Sequence, residues 1–293
     1  MLTRNIDFIA RTEGIQVADV YARIVAEADR NSAEWYSNNV PNLNYHQPDC
    51  RLAYLYIVAA ANAATFKHVI TTDTDLKAYL IELATHKRAI KICAFGAGPG
   101  TELLGMAQFF AEAGLGHSVE VDFQLIDRVQ EWTDTWYGIR DEVRTAFRNQ
   151  HGQNLANWPM IPSGNFVKCD VTQLEPLATL SNIWDQDVYV LNFLLSEIFD
   201  DDPGLTQFLS FVAERAPKGS RFVFIERKGG MWESRMANIA RQANLRLSGF
   251  VNSAVNGLRG ESPEDLGDVY KCLSLQKVPR LNWNVVYSVG VKE

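Results

Sequence analysis

The chain has 293 residues, of which 47% are hydrophobic and 22% charged, and a formal net charge of −7. That length and balance fit a soluble globular protein with one large domain, or one domain and a smaller appendage. The negative charge argues against a surface held to nucleic acid by charge alone, while leaving room for a local basic rim around a pocket.

Arg4, Asp7, Arg11 and Glu13 give the start of the chain no signal-peptide profile. The most apolar window, Leu52 to Phe66, is shorter than a membrane span and contains Asn62 and Thr65. The expectation is a cytoplasmic protein that uses no membrane. Residues 1 to about 88 read as helical and are expected to form an N-terminal helical cap or lid. Val17, Val20, Tyr21 and Ile24 recur at helical spacing, and Asn38–Asn42 and Gln47–Asp49 carry loop signals. Arg51 to Ile70 is apolar nearly all round, as a helix buried on most sides would be. A turn at Thr71–Asp73 precedes a short helix ending near His86. Trp35, Tyr36, Tyr45, Tyr54 and Tyr56 give this region an aromatic cluster, suited both to a core and to a lid over a pocket.

From residue 89 strands and helices alternate, which predicts a mostly parallel sheet covered by helices over residues 89–293. The predicted strands are Ile90–Phe95, Val119–Ile126, Phe166–Cys169, Val188–Phe193 and Arg221–Glu226, with two strand-like runs in the tail at Val269–Leu275 and Asn284–Val291. Helices are expected from Thr101 to a C-cap at Gly114, through a stripe of Trp132, Trp136, Ile139, Val143 and Phe147, from Asp202–Pro203 to about Arg215, and around Met231–Ala243. Cys50, Cys93, Cys169 and Cys272 form no C-x-x-C pair and read as small buried hydrophobes. The five histidines lack ligand spacing, and Asp200–Asp202 reads as a capped helix start, so no metal is expected.

The most informative segment is Phe95-Gly96-Ala97-Gly98-Pro99-Gly100, a glycine-rich turn between a strand and a helix. Such a turn lets a nucleotide-like ligand approach the backbone and presents helix N–H groups to it. A dinucleotide fingerprint places its third glycine five positions after the first, where Thr101 stands, and no Gly-Lys-Ser/Thr follows as in a P-loop. Asp127 ends the second strand, where a carboxylate can accept both hydroxyls of a ribose. Asp170 ends the third, where an amino donor such as an adenine edge can be read. In a doubly wound sheet all three meet at the carboxyl edge, at the point where strand order reverses.

On these residues the chain resembles the class I S-adenosylmethionine-dependent methyltransferases. The resemblance covers about residues 89–293, including the turn Pro217-Lys218-Gly219. It implies a Rossmann-like doubly wound sheet of seven strands, with one antiparallel strand supplied by the C-terminal tail. It also implies S-adenosyl-L-methionine as cofactor, held by Phe95, Gly96, Ala97, Gly98 and Gly100, by Asp127 and Arg128, by Asp170 and Val171, and by Asn192 and Phe193. The chain departs from the family at Ala94, where an acidic residue often stands two before the first glycine. After the fourth strand, Asn192-Phe193-Leu194-Leu195-Ser196-Glu197 lacks the Asn/Asp-Pro-Pro-aromatic tetrad of exocyclic-amine methylation. Asn192 is a candidate to bond cofactor or target. Glu197 is a candidate general base or anchor for a cationic or N–H-bearing substrate, unless it simply begins the next helix. Asp127, Trp132, Trp136 and Asn192–Phe199 also give a slighter similarity to fungal ribosomal-RNA uridine methyltransferases. The expected acceptor is a small molecule or RNA. The alternatives are a protein that binds the cofactor without chemistry and, less well matched, a nicotinamide-dependent oxidoreductase.

Overall fold

The computed structural model describes residues 2–35, 43–174, 180–198, 202–256, 262 and 266–293. The loop read at Asn38–Asn42, Tyr36, and the acidic pair Asp200 and Asp201 lie outside them.

Among the described residues eight strands form one sheet: β1 (Ala89–Phe95), β2 (Val119–Asp127), β3 (Met160–Lys168), β4 (Val188–Asn192), β5 (Arg221–Arg227), β6 (Leu245–Leu247), β7 (Val251–Asn256) and β8 (Asn282–Lys292). Their order is β3-β2-β1-β4-β5-β8-β6, with β7 also on β8. Strands β1 to β5 pair in parallel, and β8 runs antiparallel to β5. The chain therefore winds outward from β1 to β3, then returns to β4 on the other side of β1. That reversal opens a crevice above the carboxyl ends of β1 and β4. The antiparallel strand does come from the C-terminal tail. The strand beyond it is broken in two: β6 pairs with residues 290–292 of β8, and β7 with 282–287.

Side-chain alternation divides the core between the two faces of the sheet. Ile90, Ile92 and Ala94 of β1 join a cluster with α1 (Leu2–Glu13), α2 (Val17–Trp35), α3 (Pro48–Ile57), α4 (Ala59–Thr72), α5 (Thr74–His86), α6 (Glu102–Ala113) and α7 (Trp132–His151). Cys93 and Phe95 join the opposite cluster, packed by α8 (Leu194–Glu197), α9 (Asp202–Arg215) and α10 (Trp232–Gln242). The amino-terminal helices thus share a continuous core with the sheet. The long apolar segment is two helices broken at Val58 (φ −125°, ψ −16°), and α4 lies against α6 where a Cβ at Gly105 would stand 2.6 Å from the Ala63 carbonyl oxygen.

Besides that break and the strands β6 and β7, which make the sheet eight-stranded where seven strands were expected, two further elements differ from the sequence reading. Val269–Leu275 is not a strand: Asp268–Ser274 forms helix α11, which buries Val269 and Leu273 one turn apart. Strand β3 begins six residues earlier than expected, because Pro162 and Gly164 disguise it. Proline is tolerated there because β3 is an edge strand. Of the cysteines, Cys50, Cys93 and Cys169 are buried and Cys272 is exposed; all four are free thiols. Among the described residues no helix is long and apolar enough to cross a membrane, and no three His, Cys, Asp or Glu side chains are grouped to hold a metal.

Candidate active site

The turn between β1 and α6 has left-handed backbone at all three glycines: Gly96 (φ 58°), Gly98 (φ 52°) and Gly100 (φ 77°). Their surroundings differ. A Cβ on Gly96 would lie 2.5 Å from Leu194 Cδ1, and one on Gly100 would lie 2.6 Å from Leu125 Cδ1 and 2.8 Å from Trp136 Cε3. These two are required for packing. Around Gly98 the nearest atoms are those of Trp132 at 3.9 Å, so this residue borders open space. Asp127 fastens the turn to the end of β2. Its Oδ2 accepts from Gly98 N at 2.8 Å and its Oδ1 from Val129 N at 2.8 Å. Burial raises the pKa of this carboxyl, and the two backbone N–H groups oppose the rise. Each oxygen keeps a second lone pair for a ligand hydroxyl.

A cavity opens beside this turn, and its walls come from distant parts of the chain. Gly96, Gly98, Asp127, Arg128, Val129 and Trp132 line one side. Cys169, Asp170 and Val171, after β3, line another; Asp170 Oδ1 accepts from both N (3.0 Å) and Oγ1 (2.8 Å) of Thr172. Asn192, Phe193, Leu194, Glu197 and Ile198 complete the far wall. Phe193 adopts φ 58°, rare for a bulky residue, and this bend launches the short helix α8 into the crevice.

Two buried charged groups hold α8 in place. Glu226, at the end of β5 and fully buried, accepts from Ser196 N at 3.0 Å and from Arg227 N at 3.4 Å. Burial pushes its pKa up to about 7, against the pull of the Ser196 N–H and then of the Arg227 charge. Arg235 on α10 donates to the carbonyls of Leu195 at 2.7 Å and Ile198 at 3.2 Å. The turn bearing Glu197 is thus bonded through its N–H from one side and its carbonyls from the other.

The amino-terminal region supplies the last wall. Tyr45, Tyr54 and Trp132 pack as a mutual trio with ring centroids 5.4–5.6 Å apart. Tyr54 connects onward to the far wall. Asn62 donates to its hydroxyl at 3.0 Å, Trp283 Nε1 donates to Asn62 Oδ1 at 3.0 Å, and the Trp283 ring lies 4.9 Å from that of Phe193. Burial raises the pKa of Tyr54, with Glu197, Glu102 and Asp127 adding to the rise. Three carboxyl groups therefore act on one phenol at the cavity.

Of the residues expected to hold a cofactor, Gly96, Gly98, Asp127, Arg128, Asp170, Val171, Asn192 and Phe193 line this cavity, and so does Glu197. Phe95, Ala97 and Gly100 do not; the Phe95 ring is buried against Tyr189 and Phe208. Trp136 is core, whereas Trp132 both packs and lines the cavity. Arg227, Lys228, Gly229 and Gly230, which end and follow β5, are not on its walls. Sequence reasoning did not single out Glu102, Glu226 or Arg235, whose roles depend on partners 30 to 90 residues away.

The donors and acceptors suit a nucleoside carrying positive charge. Asp127, Asp170 and Glu197 line the cavity with Arg128 as the one basic lining residue among those described. Open space at Gly98 gives such a ligand room against the backbone. Comparison with known proteins supplies the class. A family model described as "Putative SAM-dependent methyltransferase" matches residues 46–245, more than half of the chain. The chain belongs to this family of S-adenosylmethionine-dependent methyltransferases. S-adenosylmethionine is accordingly its cofactor. Solved structures similar to this chain include a SAM-dependent methyltransferase from Methanosarcina mazei, with 11% identity, a TM-score of 0.43, and coverage of 72% of this chain and 96% of that one. Another is a SAM-dependent methyltransferase from Aquifex aeolicus, with 12% identity, a TM-score of 0.42, and coverage of 79% and 98%. No curated protein matches the chain.

Proposed function

We propose that the protein transfers the methyl group of S-adenosylmethionine to a small-molecule or RNA acceptor that enters between Glu197 and the Tyr45–Tyr54 wall. The observation that carries this reading is the joining of the glycine turn and Asp127 by the 2.8 Å bond to Gly98 N, directly beside the open cavity. The bound cofactor supplies an activated methyl group with its own leaving group. The protein therefore has to align a nucleophile and, where that nucleophile carries a proton, remove it. Asp127 accepts the ribose hydroxyls through its remaining lone pairs, and Asp170 accepts from the adenine amino group. Glu197 takes the acceptor's proton or anchors its N–H, held in position by the Glu226 and Arg235 contacts to α8.

The amino-terminal residues 1–88 act as a cap in this scheme. Tyr45 and Tyr54 lie over the cavity and keep water from the transfer site. The test is transfer of labelled methyl from S-adenosylmethionine into separate pools of small metabolites and RNA, with the wild type and with Glu197→Gln. Label in one pool that disappears with Glu197→Gln supports the reading. Cofactor binding without transfer to either pool favours a binding protein instead.

A further inference from the structure

The family resemblance includes an acidic residue two before the first glycine, and here that position is the buried alanine Ala94. A different carboxylate stands nearby. Glu102, the first residue of α6, is 3% exposed. Its Oε1 accepts from Asn192 Nδ2 at 2.9 Å, a bond across the gap between α6 and the end of β4. Asn192 lines the cavity, with Glu102 behind it. Among the described residues neither Glu102 Oε2 nor Asn192 Oδ1 has a hydrogen-bond partner, although both are buried. An orphaned buried acceptor is destabilising, and more so when charged, so two adjacent ones mark a place built for a donor. Desolvation raises the pKa of Glu102, against the pull of the Asn192 amide and of its own backbone N–H.

The topology limits what that donor is. Asp127 and Asp170 end β2 and follow β3, on one side of β1; Asn192 ends β4, on the other side. A ligand whose sugar and base lie toward β2 and β3 extends its remaining end over the glycine turn toward β4. In the cofactor that end carries an α-ammonium, a group with N–H donors and no acceptor.

We propose that Asn192, with Glu102 behind it as a positioning carboxylate, accepts from the cofactor's α-ammonium and that the pair takes the place of the acid missing at position 94. The inference rests on the cofactor reading above. Asn192 forms the contact surface, and Glu102 fixes its amide with the oxygen free while contributing the negative charge.

The experiment compares S-adenosylhomocysteine with its deaminated analogue by calorimetry, on the wild type and on Glu102→Gln. Removing the amino group should weaken binding to the wild type by at least about tenfold, and by less than about threefold in Glu102→Gln, because the variant has already lost the charge that the ammonium meets. An equal penalty in both proteins overturns the proposal. So does a wild-type penalty below about threefold, which requires no variant to fold. Failure of the wild type to bind S-adenosylhomocysteine at all overturns the cofactor reading and this inference together, whereas tight binding with an unchanged deamination penalty overturns the inference alone.

Discussion

Glu226 offers a prediction whose size follows from its surroundings. The side chain is fully buried and bonded to Ser196 N and Arg227 N, and burial lifts its pKa from 4.5 to about 7. A carboxyl whose pKa is raised on folding binds its proton more tightly in the folded than in the unfolded chain. The stability it confers is fully present below about pH 4.5 and is lost as pH rises through about 7. The loss is worth about 3 kcal/mol. Glu226→Gln keeps an oxygen to accept from Ser196 N and cannot ionise. Urea unfolding of both proteins from about pH 4 to about pH 8 should show the variant gaining on the wild type by about 3 kcal/mol across that range, and ending as the more stable of the two. Subtracting the two curves cancels the titration of all other groups that the substitution leaves unchanged. Parallel curves, with a difference constant to about 0.5 kcal/mol, would refute the claim that burial holds the pKa of this carboxyl far above its unfolded value.

Gly98→Ala should cost about 1–2 kcal/mol of stability for a left-handed alanine, yet weaken S-adenosylhomocysteine binding more than tenfold, because its methyl meets no protein atom closer than 3.9 Å and projects into ligand space. Calorimetry beside a denaturant titration separates the two effects, and unchanged affinity would contradict this placement. Arg235→Met removes two donors from the carbonyls of Leu195 and Ile198. It should destabilise the protein by about 2–4 kcal/mol and lower kcat more than it raises KM for the cofactor, as steady-state kinetics on the folded fraction would reveal. Asn62→Leu breaks the bond from Trp283 and the bond to Tyr54 together, and should cost about 1–3 kcal/mol in chemical unfolding.

What the sequence made legible was local. The glycine turn, Asp127 and Asp170 each announce themselves by their position at the end of an apolar run. The stripe from Trp132 to Phe147 reveals α7 by periodicity, and all five of its residues are buried. The short segments β6 and β7 lack that signal: Leu245–Leu247 is three residues long, and Val251–Asn256 buries one side chain. Helix α11 misled because Val269 to Leu275 is apolar enough for a strand, while its burial follows a helical interval. Within the site, Glu102 reads as an ordinary acidic residue at a helix start. Its bond to Asn192 spans 90 positions and follows from strand order, not from any local pattern. Tyr45 and Tyr54 were visible as part of an aromatic cluster, but their meeting with Trp132 over the cavity depends on how the amino-terminal helices pack.

The central claim is that Asp127, bonded to the glycine turn, grips the sugar of S-adenosylmethionine. Its most direct test is calorimetric titration of S-adenosylhomocysteine into the wild type and Asp127→Ala, with circular dichroism confirming that the variant remains folded after Gly98 N and Val129 N lose their acceptor. Saturable one-to-one binding to the wild type, weakened by at least about thirtyfold in the folded variant, is the predicted result. Equal affinity in the two proteins, or no binding to either, would contradict the claim.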